Sequence, residues 1–144
     1  MKRTPSPVRI ATVDYGASLG ALLPFVVWGL VLVGRLADPE AAAFFFYVAP
    51  AVTLGGLALL AWRVLTIRAV FSAGDEVPGV ISSLGFFRGR GRIEYVYTVR
   101  GTRYMSSNAL QLSAIVRSLA AGQEVTLAVD RFHPKRAFVH ELYL

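Results

Sequence analysis

The sequence predicts a membrane α+β protein: a two-helix transmembrane hairpin followed by a small, highly curved β-sheet or partly open β-barrel with one short helix. Two long uncharged stretches in the first half and short glycine-punctuated alternating runs in the second predict it. Composition agrees, with 55% hydrophobic residues against 17% charged in 144 residues, more apolar than an ordinary soluble domain. The expected division is a cytoplasmic N-terminal tail over 1–14, the hairpin with a helical extension over 15–74, and a cytoplasmic β-rich module over 75–144.

The first uncharged stretch is "YGASLGALLPFVVWGLVLVG", residues 15–34, and the second is "AAAFFFYVAPAVTLGGLALLAW", residues 41–62. At 1.5 Å per residue each reaches roughly 30 Å, the thickness of a bilayer's hydrocarbon core. Buried helices of a soluble protein seldom stay uncharged all round for five turns, and a cleavable signal peptide would not be followed at once by a second span. Pro24 and Pro50 fall mid-span, where membrane helices tolerate proline because neighbouring groups satisfy the freed carbonyl. The short linker with Asp38-Pro39 favours an antiparallel hairpin. Small residues four apart, Gly16 and Gly20 on the first helix and Ala51 and Gly55 on the second, would permit close backbone approach.

Orientation follows from basic residues near the span ends. Lys2, Arg3 and Arg9 precede the first span and Arg63 and Arg68 follow the second, whereas the loop has Arg35 against Asp38 and Glu40. The positive-inside rule puts both termini in the cytoplasm of a multi-pass inner-membrane protein. The spans hold no charged side chain, and their polar atoms belong to Tyr15, Ser18, Trp28, Tyr47 and Thr53. Proton relays, ion sites and voltage sensors need buried ionisable groups, so anchoring is the expected role.

In the second half, "EVPGVISSL" and "RIEYVYTVRG" read as strands, the latter with Ile93, Tyr95, Tyr97 and Val99 on one face. A tight turn near residues 100–102 leads into "TRYMSS". A helix is expected next, capped by Ser107 or Asn108, with Leu112, Ile115, Val116 and Leu119 on one face and Gly122 at its left-handed end. "EVTLAVD" and "RAFVHELYL" then read as strands around a bend at Pro134. The aromatic residues Phe86, Phe87, Tyr95, Tyr97, Tyr104, Phe132, Phe138 and Tyr143 suffice for the module's core and rim.

Charge is unevenly placed. The net charge is +6, and thirteen of the fifteen basic residues are arginine. In "GFFRGRGRIEYVY", residues 85–97, a glycine-opened hairpin turn is expected; Arg88, Arg90 and Arg92 recur at strand spacing and in an extended conformation would point together toward anionic headgroups or a partner, with one of Phe86 and Phe87 turned into the module and the other outward. Arg63 and Arg68 would snorkel from the helical extension to the same headgroups.

Tyr95, Tyr97, Val99, Gly101 and Tyr104, with a later "GQEVTLAVDRFHPKRAFV", resemble the bacterial membrane-protein family catalogued as domain of unknown function 3592. The resemblance covers roughly the last seventy residues. The family pattern reads Tyr-x-Tyr-x-Val-x-Gly-x-x-Tyr, then Gly-x-x-Val and a box like Tyr-Asp-Pro-x-Asn-Pro. Gly122 and Val125 match the lead-in, and Asp130 and Pro134 the box, while Val129, Arg131 and His133 depart from it. The resemblance implies membrane helices flanking a small β-rich module, with no assigned reaction. The box around Asp130, His133 and Pro134 reads as a turn.

The absence of cysteine excludes disulfides and thiolate chemistry. His133 and His140 have only Asp130 and Glu141 as nearby carboxylates, a poor metal set. "GRGRIE" lacks phosphate-loop spacing, and the serines of "ISSL" and "MSSN" lack a nucleophile elbow. No cofactor, metal or catalytic residue is therefore expected. The expected function is a non-enzymatic anchor whose module binds a membrane or cytoplasmic protein, or a second copy of the chain, as an accessory or assembly subunit. Two alternatives are a component of a membrane enzyme or transporter whose site forms only in the complex, and an anionic-lipid or nucleic-acid module using the 88–92 run. Nucleic acid ranks last because the strand motif of RNA-binding sheets is missing.

Overall fold

The computed structural model describes residues 3–144; Lys2, used above for orientation, lies outside the described residues. Within the expected N-terminal tail the described residues include a short helix. Ser6 caps a short helix, α1 (Pro7–Val13), by accepting a hydrogen bond from the Arg9 amide, with proline at the first helical position, where its missing N–H costs nothing. Ile10 is fully buried. Asp14 alone separates α1 from α2 (Tyr15–Ala37), which turns at Asp38 into α3 (Pro39–Ala73). Asp38 caps α3 by accepting from the amides of Glu40 and Ala41.

Both α2 and α3 are long and apolar enough to cross a membrane. Their packing seam runs at a spacing of seven, the repeat that keeps one stripe of each helix facing its partner. Gly20, Val27 and Gly34 of α2 meet the row Ala42, Ala49 and Gly56 of α3. Of the four residues expected to pack, only Gly20 does so: a Cβ there would lie 2.6 Å from the Gly56 carbonyl oxygen. Ala51 is exposed and Gly55 faces open space, because Gly56 occupies the seam and positions 51 and 55 turn away from it, by roughly 140° and 100°. Gly16 sits beside Arg63 instead. Pro24 cannot donate to the Gly20 carbonyl four residues back, and that oxygen faces Gly56 across the seam, 2.8 Å from where a Cβ would stand. The two glycines thus bring the freed carbonyl against a partner backbone. The Trp28 indole nitrogen donates to the Thr53 hydroxyl at 3.0 Å.

Beyond Gly74 the chain forms a nearly closed antiparallel sheet in the order β3-β2-β1-β4-β5. The strands are β1 (Asp75–Phe87), β2 (Arg90–Val99), β3 (Thr102–Gln111), β4 (Glu124–Val129) and β5 (Ala137–Val139). Two-residue turns at Arg88-Gly89 and Arg100-Gly101, each with both φ values positive, join β1 to β2 and β2 to β3. Paired positive values suit the right-handed twist of a hairpin. The first turn corrects the expected arginine row: Arg88 occupies the turn, and only Arg90 and Arg92 share a strand face.

Three further expectations are corrected. Ser107 and Asn108 lie within β3, which continues to Gln111, and the helix, α4 (Ala114–Ser118), is capped by Ser113. Gly122 has a positive φ but sits in the turn after Leu119. The final expected strand stops at Val139 and the chain closes in a helical turn, α5 (His140–Tyr143). One core joins the helix bases to the sheet, where Ile10, Ala17, Ile67 and Phe71 pack with Ile81, Ile93, Leu110, Leu127 and Leu142; a second, smaller cluster of Val27, Val31 and Ala49 lies within the helical pair.

Candidate functional site

Asp14 is the point where the pieces meet. It is fully buried, and its carboxylate caps α2 by accepting the Ala17 amide at 2.8 Å. Arg63, just past the uncharged part of α3, donates Nε to the same oxygen at 3.0 Å and Nη2 to the other. The Tyr143 hydroxyl donates to that second oxygen at 3.3 Å. The Asp14 backbone also bridges Leu110 of β3. A buried carboxylate without such partners would carry a desolvation cost of several kcal/mol; here four groups from α2, α3 and α5 satisfy it. Burial and the neighbouring Asp14 carboxylate push the Tyr143 hydroxyl well above the usual phenol range.

Beside this cluster a crevice of about 670 Å³ opens between the helix bases and the gap where β3 faces β5. Its apolar wall includes Tyr15, Leu59 and Trp62; its polar wall includes Asn108, His133, Lys135 and Arg136. The floor is tied by hydrogen bonds across the gap. Ser106 Oγ donates to the Lys135 carbonyl at 2.8 Å and the Tyr97 hydroxyl to the Pro134 carbonyl at 2.5 Å. The Tyr95 hydroxyl touches both the Asn108 side chain and the Ala137 carbonyl, and its single proton serves one of them. Burial is the main cause that pushes Tyr97 up to about 12 and Tyr95 higher still, against a lowering hydrogen bond to Ser106.

The residues singled out in the sequence are dispersed around this junction. Arg63 is inside it, and Arg68 is exposed on the last turns of α3. Arg90 lies over the Tyr15 ring, 4.9 Å from its centroid, so the β1–β2 turn stands beside the start of α2. Arg92 makes an ion pair with Glu94 at 3.4 Å, and Arg88 folds over Phe87. Phe86 is 50% exposed and Phe87 65%, and neither belongs to the buried core; of the other aromatic residues expected in core or rim, Tyr95, Tyr97, Phe138 and Tyr143 are buried and Phe132 is exposed.

Asp130 builds a turn, accepting from the amides of Phe132 and His133 at 2.8 and 3.2 Å. Pro134 offers its carbonyl to Tyr97. His133 is largely exposed, and its Nδ1 lies 3.7 Å from the Asp130 carboxylate. Arg131 turns away to pair with Asp75 at 2.8 Å, so Asp130, Arg131 and His133 do not converge on a deep pocket. Among the described residues no group of three or more His, Asp or Glu could hold a metal ion.

Of the residues that meet here, sequence reasoning gives Asp14 no role, Tyr143 only a place in the core or rim, and Asn108 only that of a helix cap. For Asp14 a signal existed: an acidic residue directly before a long uncharged helix is an N-cap candidate. No protein-family model, curated protein or solved structure matches the chain.

Proposed function

We propose that this chain is a non-enzymatic integral membrane protein in which two spanning helices anchor a cytoplasmic β-module and hold it in fixed orientation for a protein partner, as an accessory or assembly subunit. The observation that carries this reading is the shared core, in which α1 and the base of α3 pack inside the sheet while Asp14 ties α2, Arg63 and Tyr143 together. A module that only needed tethering would hang on a flexible linker; here the sheet begins one residue after α3 ends. Residues 3–14, the C-terminus and the module lie at one end of the helical pair, away from the Asp38 turn, which suits the cytoplasmic placement drawn from charge. The likeness of the 95–134 motifs to domain of unknown function 3592 belongs to the same proposal.

Phe86 and Phe87, projecting from the β1–β2 hairpin beside three arginines, are the surface proposed for the partner, since exposed aromatic and arginine side chains are the usual anchors of interfaces. A photo-crosslinking residue at Phe87 should give a discrete adduct in alkali-washed membranes, and the same residue at exposed Thr98 should not. Release of the chain by alkali would sink the membrane part of the reading, and identical adducts at both positions would sink the interface.

A further inference from the structure

We propose that the junction crevice seats one acidic phospholipid, its phosphate against Lys135 and Asn108 and its acyl chains along Leu59 and Trp62. The site rests on the reading of α2 and α3 as membrane spans.

Three observations carry it. First, the crevice is lined by four cationic or titratable bases, Arg63, His133, Lys135 and Arg136, and by no Asp or Glu. Arg63 is committed to Asp14 and Arg136 lies 3.5 Å from Asp130. The Lys135 ammonium makes no ion pair among the described residues, and a lysine on its flexible stem is a point charge suited to phosphate.

Second, Asn108 is only 7% exposed, and one end of its amide meets the Tyr95 hydroxyl. Asn108 lines the crevice, and with its oxygen engaged by Tyr95 its amide N–H groups are left to serve a ligand there. A phosphodiester headgroup with hydroxyls, such as phosphatidylglycerol, supplies an acceptor or a donor to either end of the amide.

Third, the opposite wall is the lipid-exposed surface of α3, where Trp62 is 57% exposed, with Tyr15 at the start of α2. Tryptophan and tyrosine at span ends mark the headgroup level. A soluble phosphate compound would leave the Leu59 and Trp62 wall wet; a lipid covers both walls at once.

The test uses the full chain with Trp28→Phe, which leaves Trp62 as the sole tryptophan, reconstituted in phosphatidylcholine nanodiscs. A small fraction of acyl-brominated phosphatidylglycerol should quench Trp62 severalfold more than the same fraction of brominated phosphatidylcholine. Lys135→Gln should cut this preference about fivefold, the factor for one basic residue near an anionic lipid. Arg100→Gln, at the far end of β2, should leave it unchanged. Equal quenching by the two lipids, or a preference that Lys135→Gln does not move, overturns the site. Displacement by glycerol phosphate added to the buffer would make the ligand a soluble phosphate ester and also overturn it. Absence of quenching by either lipid would instead overturn the spans themselves.

Discussion

Replacing Asp14 with alanine should be among the most damaging single changes outside the sheet. The carboxylate is fully buried and holds an N-cap, two guanidinium bonds and a tyrosine hydroxyl. Removing one partner of a buried ion pair costs about 3–5 kcal/mol, part of which is the cap at about 1 kcal/mol. The Arg63 side chain keeps 22% of its surface exposed, so the abandoned guanidinium regains some water and the lower end, about 3 kcal/mol, is expected. Asp14→Asn keeps an acceptor for the Ala17 amide and should cost about 2 kcal/mol. The assay is thermal unfolding of the full chain in mild detergent, followed by near-ultraviolet circular dichroism. Adding Arg63→Met to Asp14→Asn should recover at least about 1 kcal/mol relative to the sum of the single changes, because neither charge is then left alone. A loss below about 1 kcal/mol for Asp14→Ala, or strict additivity in the double variant, would refute the latch.

Neighbouring glycines in α3 offer a matched pair. Gly56→Ala places a methyl 2.8 Å from the Gly20 carbonyl oxygen and 3.1 Å from Leu23 Cβ, and overpacking of this kind costs about 1–3 kcal/mol; Gly55→Ala meets open space and should be neutral in the same melt. The buried tyrosines set an alkaline limit. Below about pH 10 folded and unfolded chains both keep the phenol protons, and between about 10 and the folded value of about 12 for Tyr97 the unfolded chain loses its proton first. Stability should therefore fall as pH rises through that window by up to about 1.4 kcal/mol per unit from Tyr97 alone. Tyr97→Phe should flatten the slope by that amount, and an unchanged slope would contradict the burial of its hydroxyl. A fragment starting at Asp75 lacks Ile10, Ala17, Ile67, Val70 and Phe71 from the core and should give a spectrum without native tertiary signal; a cooperative melt would show a self-sufficient module.

The helices and strands were readable because their signals are long and local. Two uncharged runs, an alternation of period two from Ile93 to Val99, and glycines after Arg88 and Arg100 each point to one structure. The helical seam was misread for a definite reason: at this composition small residues occur at several spacings, and spacing four picks Ala51 and Gly55 where the paired surfaces use spacing seven. The end of β3 was misplaced because Ser107 and Asn108 are good caps in isolation. Tertiary context overrode them, since Asn108 faces Tyr95 across the sheet interior and Leu110 bridges to Asp14. The junction itself joins residues 14, 63, 108 and 143, and no local pattern connects positions so far apart.

Packing the sheet onto the helix bases has a mechanical consequence. The last seventy residues alone would form a β-domain near the lower size limit for independent stability, and the apolar surface that completes its core comes from α1, Ala17 and the last turns of α3. A partner or lipid that shifts the β3–β5 gap therefore strains the same contacts that set the separation of α2 and α3 at their bases. Above that point the seam is close-packed at Gly20 and Gly56, which resists a relative slide. A change at the crevice is thus expected to be felt at the Asp14–Arg63 junction, and Gly56→Ala, which pries the helices apart, should alter lipid binding at the proposed crevice site without touching any residue that lines it.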